Sequence, residues 1–362
     1  MQTIFISTSY PGRARPDYFL ALAESFAADG FQVIVIIDGK PKKLPSHNKI
    51  TFFSWPNKRP TGITDFKFLR KLIKEYHPSI LISSFGSVNI MNVCGFFMKV
   101  KSRINYILSV SEPFYEKPNF YKRLKRQFLK IRKIFIYQLA TLMVYNSKGT
   151  ETDSISYYKL KSKDYLLLHN LIASSKVKYV PKTERNNELI IVGNLIKRKG
   201  HSFLLDQFKE TLNDFPNLKL SIIGNGVENE SLQKQVEVLK ISSNVNFIGQ
   251  VPNNEIADYF SRALISVSAS SQEAFGFINI EAMREGTPII STRTAGGLEI
   301  IEKGKNGCFF YLKVKNSLTD CVKSILNNWE LYSAQANNTF INSYSLEKQI
   351  DIHRDLLKTK FI

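Results

Sequence analysis

Two glutamates, Glu273 and Glu281, bracket a Phe-Gly pair in the run Ser270-Ser271-Gln272-Glu273-Ala274-Phe275-Gly276-Phe277-Ile278-Asn279-Ile280-Glu281-Ala282-Met283. An apolar, β-branched run over 264–268 reads as a strand that stops just before it, and a helix begins near Phe277. Gly276 then sits at a strand-to-helix turn, where unpaired backbone N–H groups and the helix dipole favour an anion such as a phosphate. Glu273 lies in the loop, able to reach a ligand. Glu281, about a turn into the helix, can accept hydrogen bonds from a diol such as a ribose. Taken singly, each carboxylate also reads as an ordinary solvated side chain. A second segment, Val192-Gly193-Asn194-Leu195-Ile196-Lys197-Arg198-Lys199-Gly200-His201, leads from a strand into a helix and by itself reads as a basic surface turn. A third, Gly224-Asn225-Gly226, is either a glycine turn that approaches a ligand or a tight loop.

The elements that must carry these residues alternate. Short continuous apolar runs at 3–9, 33–38, 50–54, 80–84, 104–110 and 142–146 read as strands buried on both faces, as in a parallel sheet. Helical windows at 17–28 and 64–76 separate them, one ending before Gly30 and the other before Pro78. A polar stretch at 177–187 reads as a linker. The alternation then restarts, with strands at 189–193, 218–224, 245–249, 264–268 and 288–291 and helices at 201–215, 228–240, 255–262 and 278–285. An amphipathic helix follows at 346–358. Strand–helix–strand repetition implies doubly wound parallel sheets. The expected organisation is an α/β protein of two Rossmann-like domains facing across a cleft, over 1–180 and 181–344, with 345–362 as a C-terminal helix that packs back on the first. A length of 362 residues suits two cores.

The charge is unevenly placed. Residues 1–184 hold 30 Lys and Arg against 12 Asp and Glu, whereas 185–362 hold 20 against 19. The first half therefore faces something anionic: nucleic acid, an anionic membrane surface or a pyrophosphate-bearing substrate. Eight of its cations fall in 117–133, and no acid follows until Glu151. There Phe120, Leu124, Phe128 and Ile131 recur at helical spacing, with Tyr121 and Phe135 adding aromatic bulk. Three readings compete: a helix packed on its own sheet, a helix lying on anionic lipid, and a nucleic-acid surface lacking any recognised binding motif. Cys94, Cys308 and Cys321 show no paired spacing, which fits a reducing cytoplasm. The N-terminal run turns polar by Ser7 and lacks a basic lead, so a signal peptide is not expected. No apolar run reaches the ~20 residues of a membrane span.

Glu273, Phe275-Gly276 and Glu281 together, with Glu285-Gly286-Thr287-Pro288-Ile289-Ile290, Gly296-Gly297-Leu298-Glu299-Ile300-Ile301 and Gly304-Lys305-Asn306-Gly307, resemble the retaining glycosyltransferases of family 4, which have the two-domain GT-B fold. The resemblance is strongest over 188–312. It implies transfer of a sugar from a UDP- or GDP-sugar, with the anomeric configuration kept, to a saccharide acceptor that is lipid-linked. It implies that Glu273 contacts donor-sugar hydroxyls, that Glu281 holds the ribose, and that the N–H groups of Phe275, Gly276 and Phe277 line sugar and phosphates. Lys199 matches the family's cation on the leaving diphosphate, where a fixed positive charge stabilises the transition state. Asn194 stands where many members have Arg, so Arg198 is the expected substitute. Gly224, Gly226 and Val251 would lie near the nucleotide. In the first domain, Gly12 keeps a close backbone approach and Arg13 adds charge at the cleft. Ser111 or Glu112 replaces the family's usual His near the sugar. No Asp-x-Asp pair occurs, so no metal cofactor is expected. The expected partners are a nucleotide sugar, the acceptor and an anionic membrane surface, with no nucleic acid. The expected place is the cytoplasm, peripheral on the inner face of the membrane. The alternatives from the residues alone are a sugar-nucleotide epimerase of similar fold, or a basic membrane- or nucleic-acid-binding module with a degenerate site.

Overall fold

The computed structural model describes residues 2–9, 14–38, 44–110, 120–160 and 163–361; Gly12, Arg13, Ser111 and Glu112 lie outside the described residues, and at Ala14, Arg15, Pro16, Phe120 and Lys122 only the backbone is described. The chain forms two compact units, Met1–Ala173 with Leu346–Ile362, and Ser174–Ser345.

The first unit runs β1 (Thr3–Thr8), α1 (Ala14–Ala28), β2 (Gln32–Ile37), β3 (Ile50–Ser54), α2 (Ile63–Tyr76), β4 (Ile80–Ser83), α3 (Val88–Phe97), β5 (Ser102–Ile107), α4 (Phe120–Gln138), β6 (Leu142–Tyr145), α5 (Lys148–Tyr158) and β7 (Tyr165–Leu167). Its sheet is wholly parallel in the order β3-β2-β1-β4-β5-β6-β7. Alternate residues of each strand enter different cores. Ile4 and Ile6 pack with Phe19 and Leu22, while Phe5 packs with Leu69 and Met91. Burial on both faces is why these strands read as unbroken apolar runs.

The second unit runs β8 (Asn186–Val192), α6 (His201–Thr211), β9 (Lys219–Ile223), α7 (Asn229–Val238), β10 (Val245–Gly249), α8 (Ile256–Arg262), β11 (Ala263–Ser268), α9 (Phe277–Arg284), β12 (Ile289–Ser291), α10 (Ala295–Ile300), β13 (Gly307–Phe309), α11 (Ser317–Asn327) and α12 (Trp329–Ser343). Its parallel sheet has the order β10-β9-β8-β11-β12-β13. The order reverses between β8 and β11, and open α/β sheets bind ligands beyond the carboxyl ends of strands at such a point. The last helix, α13 (Leu346–Lys358), belongs to the first unit. It buries Leu357 beside α1, Tyr18 Oη lies 3.1 Å from His353 Nδ1, and Lys358 pairs with Asp29 at 2.6 Å.

Two features differ from the sequence reading. The polar stretch at 177–187 is not a free linker, because 174–187 is tied into the second unit. Ser175 donates to Glu285 at 2.6 Å, Tyr179 Oη meets Ser333, and Asn186 and Asn187 already belong to β8. The unit boundary accordingly falls at 173/174, before the expected 180/181. Near the end of this stretch Arg185 is buried, its guanidinium bonded to the carbonyls of Val180, Ala263 and Glu285 and stacked 4.8 Å over Trp329. Polar composition suggested solvent, but here a charged group is satisfied internally.

Candidate active site

Strands β8 and β11 lie side by side at the reversal, so the segments that follow them meet. After β8 the chain makes a turn at 193–196, then a single 3-10 turn, Lys197–Lys199, and enters α6 through Gly200. After β11 it forms the loop 269–276 and enters α9. The two segments are stitched by backbone: Ser271 N–H donates to Arg198 O at 2.9 Å, and the Arg198 guanidinium donates to Gln272 O at 3.0 Å. From behind, Gly296 N–H donates to the carbonyl of Glu273 at 3.0 Å.

These bonds fix one charge cluster. The Lys199 ammonium sits 2.7 Å from Glu273 Oε2, and the Arg198 guanidinium 3.9 Å from the same oxygen. A hollow of about 120 Å³ opens here, with Lys199, His201, Glu273, Gly276, Phe277 and Asn279 in its lining. Gly276 is the N-cap of α9 at φ +94°, a left-handed conformation that glycine adopts at no steric cost. No acidic residue lies in the first turn of α9, and the acid beside this positive helix end is Glu273, whose Cγ stands 3.5 Å from where a Cβ on Gly276 would be.

Other candidate residues are placed differently. The Phe275 ring is buried, edge-on to Phe277 and Tyr344, so only its backbone can serve a ligand. Glu281 retains some exposure but is crowded by protein atoms; that burial pushes its carboxyl up to about 7, against a lowering influence from Arg284. It does not line the hollow itself, nor do Asn194, which is exposed on the 193–196 turn, and half-buried Val251. Gly224 and Gly226 have a structural reason to be glycine. A Cβ on Gly224 would stand 2.0 Å from Gly193 O, and one on Gly226 2.3 Å from Leu195 O. Their turn is packed against the one that leads to Lys199, and Leu195 N–H donates to Asn225 O at 3.0 Å.

The chain's two halves match two family models in succession, Glycosyltransferase Family 4 over residues 17–175 and Glycosyl transferases group 1 over 175–340. The chain belongs to the group 1 glycosyltransferases of family 4. An uncharacterized glycosyltransferase of Haemophilus influenzae is 26% identical over 351 residues, 93% of this chain and 94% of that one. Alpha-monoglucosyldiacylglycerol synthase of Acholeplasma laidlawii is 30% identical over 171 residues, 46% of this chain and 42% of its own. Among solved structures, Anabaena HepE in complex with UDP superposes with a TM-score of 0.73 over 99% of this chain and 100% of its own, at 14% identity. This likeness is one of fold, the GT-B fold.

Within this glycosyltransferase, two polar groups at the hollow escaped the reading of the sequence. His201 is buried with neither ring nitrogen hydrogen-bonded, and burial beside Lys199 depresses its pKa to about 4, so the ring is neutral. Asn279 Oδ1 is likewise buried without a partner. Buried polar atoms are nearly always bonded, so orphaned ones lining a hollow mark where a ligand or water belongs. The one available signal was a His directly after Lys199-Gly200 at a helix start. No group of three or more His, Cys, Asp or Glu among the described residues could hold a metal ion.

Proposed function

We propose that this glycosyltransferase is a metal-independent, retaining enzyme that moves a sugar from a nucleotide sugar to a lipid-linked saccharide, in surface polysaccharide or glycolipid synthesis. The observation that carries the reading is the convergence of Lys199 and Arg198 on Glu273 at the sheet reversal, beside the N-terminus of α9. Cations and helix N–H groups suit a diphosphate; a carboxylate within reach of them suits sugar hydroxyls. As the anomeric C–O bond breaks with both electrons going to the diphosphate oxygen, the acceptor hydroxyl oxygen bonds the anomeric carbon on the same face and its proton passes to the departing diphosphate, while Lys199, already in place, offsets the charge that develops there. The Lys199 ammonium and Glu273 carboxylate neutralise each other at 2.7 Å, and the donor would insert between them. Glu281 would take the ribose, with His201 and Asn279 completing the polar wall.

Relatives support the choice of partners. HepE is solved with UDP, which makes uridine diphosphate the first nucleotide to try. The Acholeplasma relative is named for a glycosylated diacylglycerol, which favours a lipid-anchored acceptor. No helix among the described residues is long and apolar enough to cross a membrane, so such an acceptor would be met at the surface, on the cytoplasmic face where nucleotide sugars are supplied. The test is incubation with a panel of radiolabelled nucleotide sugars and a lipid extract, with and without EDTA. Label should enter the organic phase with its anomeric configuration unchanged, and EDTA should leave the rate intact. An inverted product would remove the retaining assignment, and a strict manganese or magnesium requirement the metal-independent one.

A further inference from the structure

Helix α4 presents its apolar stripe to solvent. Tyr121, Leu124, Phe128, Ile131 and Phe135 are 80, 53, 68, 52 and 70% exposed. At about 100° per residue these five fall within roughly 80° of arc, one continuous strip along the helix. The opposite side is the one that packs: Ile136 and Tyr137 are buried, and Lys130 and Lys133 lie over the rings of Tyr157 and of Tyr137 and Tyr158. Five large exposed side chains in register are unusual on a soluble surface and mark a place that meets something apolar.

Charge decides what that is. Arg123, Lys125 and Arg132 are exposed beside the strip, and the sequence holds no acid between Glu116 and Glu151. We propose that this face of α4 seats on an anionic lipid bilayer, with the five side chains in the acyl boundary and the flanking cations at the headgroups. An interfacial helix combines these features: cations on the polar face, aromatic and aliphatic groups on the other, and a length of about 28 Å that lies in the plane. A second copy of the chain is a poorer occupant, because α4 against α4 would set cations against cations. A nucleic acid would use the cations and leave the strip in water. The neighbouring helix α3 ends on exposed Phe96 and Phe97, followed by Lys99 and Lys101, the same chemistry again. The proposal deepens the lipid-linked acceptor reading and rests on it for its purpose. The binding itself is measured without donor or acceptor, so the two can fail separately.

The experiment is sedimentation of the full chain with vesicles of phosphatidylcholine, alone or mixed with phosphatidylglycerol. Binding should require phosphatidylglycerol and collapse between about 0.1 M and 1 M salt, as the Debye length falls from ~10 to ~3 Å. Changing Arg123, Lys125 and Arg132 together to Gln should weaken it roughly 100-fold, and changing Leu124, Phe128 and Ile131 together to Gln should weaken it at least about tenfold. Both sets lie on the surface, so circular dichroism melts should be unchanged. As a check that does not depend on losing binding, Phe128→Trp should give emission that shifts to the blue only with anionic vesicles. Equal binding to neutral vesicles, undiminished binding of either triple variant, or an unshifted indole overturns the proposal. So does a dimer that Phe128→Gln dissolves, or displacement of the vesicles by duplex DNA. UDP binding by the same triple variants should equal that of the parent chain, and its loss in the parent would instead count against the nucleotide-sugar reading.

Discussion

Lys199 and Glu273 hold each other at 2.7 Å in a half-buried setting, so removing the lysine leaves Glu273 with Arg198 as its nearest cation. A charge-assisted hydrogen bond is worth about 1.5–3 kcal/mol, so Lys199→Ala should slow turnover by roughly 10–100-fold in steady-state kinetics. Glu281 offers a test through pH. Its carboxyl is pushed from an ordinary 4.5 up to about 7 by burial, so the folded chain keeps a proton that the unfolded chain releases. Its contribution to stability is complete below the lower value and is lost as pH rises through about 7. Glu281→Gln should therefore raise the unliganded chain's stability near pH 8, by up to about 3 kcal/mol, and leave it unchanged near pH 4, as thermal melts would show. If the ribose hydroxyls donate to the charged form, nucleotide affinity in the parent chain should rise with pH through about 7 and stay flat in the variant. The order of Glu273, Phe275-Gly276 and Glu281 was legible because it is contiguous chemistry. His201 and Arg185 were not, since their meaning lies in being buried, and a lone cation or imidazole in a polar stretch carries no mark of that.

At the level of elements, the site exists because two turns after adjacent parallel strands are pressed together. Gly224 sets the spacing of the third. A methyl there, 2.0 Å from Gly193 O, must push the 193–196 turn and with it the segment that carries Lys199. Gly224→Ala should lower the melting temperature by several degrees, at about 2–4 °C per kcal/mol for a unit of this size, and should weaken UDP binding as read by calorimetry. An unchanged melt would mean that the turn yields without cost. The long parallel strands were readable from continuous β-branched runs, and helices such as α2, α6, α7 and α13 from their period, whereas α11 went unread although Leu318, Cys321, Val322 and Ile325 form one apolar stripe on it. Strands β7 and β13 hold no β-branched residue, whereas the equally short β12 was readable through Ile289 and Ile290. Helix α3 was hidden for a different reason, since Val88–Phe97 is apolar nearly all round and shows no periodic contrast. On α4 the period was right and its orientation was not readable, because an amphipathic pattern says nothing of whether the stripe meets protein or another solvent.

At the scale of the molecule, the charge asymmetry and the paired α/β plan were visible in composition and alternation, and the matched families cover both halves. Helix α13 binds the far end of the described chain to the first unit through Leu357, the Tyr18–His353 contact and the Lys358–Asp29 pair. Deleting 346–362 would uncover the α1 face that includes Phe26, which meets Phe361 at 6.2 Å. Calorimetry should then show the first unit melting earlier or not at all, while UDP binding by 174–345 persists. Loss of both together would mean that the units fold as one.

The chain leaves the first unit at Ala173 and returns at Leu346, whose N–H donates to Ile172 O at 2.9 Å. One unit is thus continuous in sequence and the other is assembled from two pieces. On a ribosome adding about 5–20 residues per second, the first unit must wait roughly 10–35 s for its closing helix while the intervening segment is made. During that interval the second unit can finish, whereas Tyr18 and Phe26 on α1 lack the partners they find in His353 and Phe361. The half of the enzyme synthesised first is thereby the half completed last, and the nascent chain is most vulnerable to proteases and most in need of a chaperone at its oldest end.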